Sequence, residues 1–162
     1  IMNRNSKPGD IDVLIGEMNV PQKAIAIECK RVKIAAASPG RDNINKLSGI
    51  KAGCIQAEAL CKRGFHKTYL ALMLQADVST RFGGSSLFKF PLPETVAKVR
   101  EVVRNCNLCP HVGIIYIENT QPTAESFENL GGLCVDIIRE AIPHPQKDEL
   151  TVRVAEALKT GE

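Results

Sequence analysis

The chain has 162 residues, 44% apolar and 24% charged, with a net charge of +3. That composition suits one soluble globular domain with a real core and argues against a disordered or fibrous chain. No apolar run approaches the ~20 residues that a membrane helix needs, so a membrane-spanning function is not expected.

The first elements lie in PGDIDVLIGEMNVPQKAIAIECK, residues 8–30. In IDVLI, residues Ile11, Val13 and Ile15 share one face, while Asp10, Asp12 and Leu14 share the other. The run KAIAIECKRV, residues 23–32, predicts a second strand. Ile25, Ile27 and Cys29 fall on one side and Ala24, Ala26, Glu28 and Lys30 on the other. Asn19 and Pro21 supply turn chemistry between the two runs. A hairpin centred near Val20 sets Asp12 opposite Glu28, with Cβ atoms ~5 Å apart. Facing carboxylates are costly unless one is protonated or a cation bridges them. A hard divalent ion such as Mg²⁺ prefers carboxylate oxygens and keeps several waters. Lys30, two residues after Glu28, projects from the same face and can orient a nucleophilic water or offset phosphate charge. The backbone carbonyl of Cys29 is a further candidate ligand.

Downstream, SPGRDN (38–43) reads as a loop ending in helix-cap residues. A helix follows over about 42–63, with Ile44, Leu47, Ile50, Cys54, Ile55 and Leu60 at helical spacing and Gly64 as C-cap. TYLALMLQAD (68–77) reads as a central strand buried on both faces. Residues 78–93, rich in Gly, Ser and Pro, read as a loop. A helix is expected over roughly 94–105, a buried strand over 112–119, and a helix over about 123–141. That last helix would carry Phe127, Leu130, Cys134, Ile137 and Ile138 as its core stripe, and a short final helix would start at Asp148. The order β-β-α-β-α-β-α implies a single α/β domain over 1–162 with a mixed sheet flanked by helices.

Charge is uneven. Residues 23–63 hold nine Lys or Arg against three acids, a net +6, which leaves −3 for the rest. A basic stretch after an acidic hairpin suits a polyanion such as nucleic acid. The plainer explanation is a solvated helix face.

Asp12 in GDIDVLI, a hairpin, then Glu28 and Lys30 in IAIECK resemble the PD-(D/E)xK nuclease superfamily. The resemblance covers about residues 8–77, the expected core, with 78–162 as a C-terminal extension of strand and helices. It implies a restriction-endonuclease-like fold and Mg²⁺-dependent hydrolysis of DNA phosphodiesters, endonucleolytic rather than exonucleolytic, with Mn²⁺ as a substitute ion. Asp12 and Glu28, with the Cys29 carbonyl, would bind the metal, and Lys30 would position the nucleophile. Some branches of the superfamily use a glutamine on the following helix, which here is Gln56. Lys33, Arg41, Lys46 and Lys51 would contact DNA phosphates, and relatives that cut both strands are commonly homodimers. The superfamily's usual earlier helix and strand have no counterpart in the seven residues before Pro8. A catalytically silent nucleic-acid-binding or assembly module on the same fold is the alternative.

Six cysteines lie mostly within apolar patterns, which favours reduced thiols and a cytoplasmic setting. CNLCPH (106–111) offers one C-x2-C pair with His111 near it. Structural thiolate sites usually need four ligands, and no second pair exists. His66 and His144 have no recognisable nucleophile partner, and GGSS (83–86) lacks the Gly-Lys-Ser/Thr of a phosphate loop.

Overall fold

The structure is a computed structural model and describes residues 11–38, 41–43, 48–77, 93–120 and 132–160. Its strands are β1 (Val13–Ile15), β2 (Ile25–Ser38), β3 (Arg41–Asn43), β4 (Lys67–Asp77), β5 (Val112–Thr120) and β6 (Gly132–Arg139). The helices are α1 (Ser48–Arg63), α2 (Pro93–Arg104) and α3 (Asp148–Thr160), with a single 3-10 turn at Pro21–Lys23. The strands form one mixed sheet in the order β1-β2-β4-β5-β6, and β3 pairs with β2. β2, β4 and β5 run parallel, while β1 and β6 are antiparallel to their neighbours.

The hairpin forms in the expected register: Val13 pairs with Ile27, Leu14 with Ala26 and Ile15 with Ile25, which centres the turn on Val20. The 3-10 turn closes it through the Lys23 N–H donating to the Val20 carbonyl at 3.0 Å. Gly64 ends α1 with φ +95°, the left-handed geometry that glycine adopts at a helix C-terminus. The helix expected over 94–105 and the final helix from Asp148 are present as α2 and α3.

Four expectations are corrected. The second strand starts at Ile25 and continues to Ser38, well past Val32. Within the expected loop at 38–43, Ser38 instead ends β2 and Arg41–Asn43 form β3, which pairs back along β2. α1 accordingly begins at Ser48, not near Asp42, and Ile44 and Leu47 lie outside the described residues. The helix expected over 123–141 is, from Gly132 onward, strand β6. Its apolar residues fit both helical spacing and strand alternation. Paired to β5, the β-branched Val135 and Ile137 stand opposite Ile117 and Ile115. Phe127 and Leu130 lie outside the described residues, and so do residues 78–92, the expected loop.

Among the described residues all three helices lie on one face of the sheet. Ile50, Cys54 and Ala57 of α1 and Val99 and Val103 of α2 pack on Val32, Leu70, Leu72, Leu74, Ile114 and Tyr116. Val154 of α3 packs with Ala24, Ala26, Leu60 and Phe65. Strand alternation sends the neighbouring residues to the other face, where Val13, Ile15, Met73, Val135 and Ile137 are exposed. β4 is therefore closed on its helix side, whereas on the other side Tyr69 and Ala71 are buried and Met73 is not. Arg100 fastens α2 to the sheet: its guanidinium lies 4.7 Å over the Tyr116 ring and pairs with Glu118 at 3.2 Å and Asp136 at 2.9 Å. No helix among the described residues is long and apolar enough to cross a membrane.

The segment before α3 is tied down by backbone bonds, His144 N–H to the His66 carbonyl at 3.0 Å and Lys147 N–H to that of Gly64 at 3.3 Å, and by the Gln146 amide. Gln146 Oε1 accepts from the backbone N–H of Ala24 at 3.2 Å and of His66 at 3.4 Å. Its Nε2 donates to the Pro21 carbonyl at 2.9 Å and to Thr151 Oγ1 at 3.0 Å. Ala24 is fully buried, so its N–H has no route to water once the amide is removed. Gln146→Ala should therefore cost about 1–3 kcal/mol, read as a lower urea midpoint with an unchanged slope.

Candidate active site

The residues at the end of the hairpin converge because β1 stops one residue short. Continuing its register past Val13 brings Asp12 to Glu28. In place of a ladder bond, Asp12 uses its side chain: Oδ2 accepts from the Cys29 N–H at 2.7 Å. The N–H and C=O of one strand residue point to the same side, so the Cys29 carbonyl is turned towards the β1 edge as well. Asp12 and the Cys29 side chain are exposed.

Glu28 is different. It points into the helix layer beside Ala24 and Ala26 and is 1% exposed. Lys30, next on the same face, places Nζ 2.5 Å from Glu28 Oε1 while remaining partly in solvent. Glu28 Oε2 is buried with no hydrogen-bond partner among the described residues. Thr68, opposite Ala26 on β4, also has a buried Oγ1 without a partner among the described residues. Burial pushes the Glu28 carboxyl above its ordinary range; Lys30 opposes the shift and the Asp12 charge adds to it. The Cys29 thiol, though exposed, is raised by partial desolvation and then by Asp12 and Glu28.

Helix α1 closes the site from above. A Cβ on Gly53 would stand 2.7 Å from Lys30 Cγ and 3.0 Å from Leu70 Cδ1. The helix backbone thus lies directly on the Lys30 stem, and only glycine permits that approach. Sequence reading passed over Gly53, although a glycine in mid-helix is a recognised sign of close packing. Thr68 gave no signal at all, being one small residue in an apolar run. Gln56, one turn after Gly53, is half-buried and makes no hydrogen bond among the described residues. Lys51 is exposed on α1. Lys33 lies in β2 and Arg41 in β3, but their side chains, and all of Lys46, fall outside the description.

The donor set suits a hard cation: an orphaned buried carboxylate oxygen, a second carboxylate beside it, and a backbone carbonyl turned to the same edge. No cluster of three or more His, Cys, Asp or Glu side chains able to hold a metal occurs among the described residues, so such an ion would rest on two carboxylates and the main chain. Comparison with family models, curated proteins and solved structures finds no match for this chain.

Two predictions test this geometry. Glu28 titrates higher when folded than its ordinary 4.5, so the native state holds the extra proton and stability falls as pH rises through that window. Without divalent ions, Glu28→Gln should therefore be more stable than wild type at pH 7, with the difference closing as pH falls towards 4 in urea titrations. Alanine normally gains up to ~1 kcal/mol over glycine in a helix. Gly49→Ala, whose Cβ would meet nothing within 4 Å, should collect part of that gain. Gly53→Ala should instead lose stability in the same thermal scans.

Proposed function

We propose that this chain is a Mg²⁺-dependent nuclease of the PD-(D/E)xK type, with a restriction-endonuclease-like core, that hydrolyses DNA phosphodiesters. The observation that carries this reading is Glu28: a buried carboxylate with one oxygen on Lys30 and the other unpartnered, beside the Asp12 carboxylate. A solvated surface hairpin would not bury an acid in an alanine- and leucine-lined layer and leave half of it unsatisfied.

Asp12 and Glu28 would hold Mg²⁺ with the Cys29 carbonyl, and the bound ion would supply Lewis-acid stabilisation of charge on the scissile phosphate. Lys30 has its stem clamped beneath α1 and its ammonium on Glu28 Oε1. It would orient the attacking water through a donated hydrogen bond and offset the charge developing on the phosphate oxygens. The exposed Asp12 side keeps the site open to a long polymer, because substrate need only lie along the hairpin's edge. The basic residues Lys33, Arg41, Lys46 and Lys51 would contribute sequence-independent phosphate contacts. Gln56 follows Gly53 on the helix that covers Lys30 and would act from that side.

With plasmid DNA and Mg²⁺, wild type should cut, and Asp12→Ala and Lys30→Ala should each lose activity by ~10²-fold or more. Equal residual cutting by all three would identify a contaminant. In parallel, Ca²⁺ or Mg²⁺ should raise the thermal midpoint of wild type and leave that of Asp12→Ala unmoved. Salt-sensitive DNA binding with neither cutting nor a metal-induced shift would replace the nuclease with a silent binding module.

A further inference from the structure

The opposite flank of α1 carries a second cluster, made of thiols. Cys54 on α1 is hydrogen-bonded through its side chain to Cys106, in the turn that follows α2. Seven residues along the same helix, Cys61 makes the same contact with Cys109. Between them Glu58 Oε1 accepts from the Cys109 N–H at 3.0 Å. Arg139 closes the cluster from β6, donating to the carbonyls of Val112 at 2.9 Å and Cys109 at 3.2 Å. The two pairs differ in access. Cys54 and Cys106 line a largely apolar cleft of about 650 Å³ between α1 and α2, whose walls include Ile55, Glu58, Lys98 and Glu101. Cys61 and Cys109 do not line it; the Cys61 sulfur faces His144 Nε2 at 3.8 Å.

We propose that Cys54 and Cys106 form an oxidisable dithiol, a modification site that takes hydrogen peroxide from the cleft and closes into a disulfide. This rests on the thiol contact and the cleft and is independent of the nuclease reading. All six cysteines are free in the reduced chain. The Cys54 thiol donates to the Cys106 sulfur, and Arg139 adds a positive field, so Cys106 is held down to about 7 against burial and Glu58. Cys54, the donor, is correspondingly raised. A thiolate that forms near neutral pH and opens to a cleft is the attacking partner. Its sulfur attacks one peroxide oxygen, the O–O bond breaks and hydroxide leaves, giving a sulfenic acid on Cys106. The Cys54 sulfur then attacks the Cys106 sulfur, the S–O bond breaks, and the hydroxide departs with the thiol proton as water. Two thiols lose two electrons in all, and one peroxide becomes two waters. Both thiols line the same cleft and are hydrogen-bonded to each other, so the bond forms by a local approach of two side chains.

The test treats the reduced full chain with one equivalent of hydrogen peroxide, blocks remaining thiols, digests with trypsin and maps linked peptides. Cys54 falls in the peptide 52–62 with Cys61, and Cys106 in 105–139 with Cys109 and Cys134, so variants assign the bond. The expected result is a 52–62 to 105–139 link that persists in Cys61→Ser and disappears in Cys54→Ser and Cys106→Ser. No link, a link that survives either of those last two variants, or a bond between Cys106 and Cys109 would overturn the proposal. A second reading needs no oxidation: Cys106 should react with iodoacetamide with a midpoint about 7, moved upward in Cys54→Ala. An unmoved midpoint in a variant that keeps its helical circular dichroism counts against the pair.

Discussion

A single buried carboxylate governs the arrangement of this molecule. β2 lies between β1 and β4, and its even-numbered side chains face the helices, so Glu28 cannot swing to solvent without dismantling the sheet. Paired surface charges contribute ~0–1 kcal/mol, but a charge at this depth is costly unless its partner and its remaining lone pairs are both supplied. Lys30 supplies one half of that requirement. The other half is unmet within the described residues, where a leucine or methionine would have packed without penalty. Departures from local consistency of this kind are typical of sites kept for chemistry.

The shape of the hairpin explains why the second acid is present. A β1 two residues longer would have brought Ile11 opposite Cys29, paired the two backbone to backbone and sealed the edge. Because the strand ends at Val13, the Asp12 side chain takes the Cys29 N–H, and the carboxylate is held on β2 without being buried. One acid is thus exposed and one enclosed, on adjacent strands, with the main chain between them. The enclosed one is raised by desolvation and the exposed one remains open to solvent. The asymmetry comes from strand length, not from any difference in acid chemistry.

How much of this was legible depended on whether the signal was local. The hairpin, its centre at Val20, its faces and the Asp12–Glu28 opposition follow from alternation with a period of two, and that period survives folding. The start and end of α2 and the left-handed Gly64 were equally local. β6 was misread because Cys134, Ile137 and Ile138 satisfy a helical stripe as well as they satisfy a strand, and only pairing to β5 decides between them. The small β2–β3 hairpin was hidden behind turn residues that also cap helices. Long-range meetings left no trace. Gln146 reaching Ala24, Cys54 touching Cys106 and Gly53 lying on Lys30 join residues through the sheet order, which a single sequence does not state. The C-x2-C spacing drew attention to a pairing of Cys106 with Cys109, whereas each of those thiols is matched across to α1.

That last point makes α1 the element on which both clusters depend. Gly53 and Cys54 are sequence neighbours, so they lie about 100° apart around the helix and address different neighbours. Gly53 meets the Lys30 stem with no room for a methyl group, and Cys54 meets Cys106 across the wall of the cleft. Interiors packed at this density do not deform continuously, and a helix bracketed on two sides within one turn has little freedom to slide or roll. The position of the Lys30 ammonium is therefore set by the seating of a helix and not by the rotamer preferences of an isolated, flexible side chain. On the proposed nuclease reading, much of the entropy that would be lost in fixing this lysine at a phosphate has already been lost in folding.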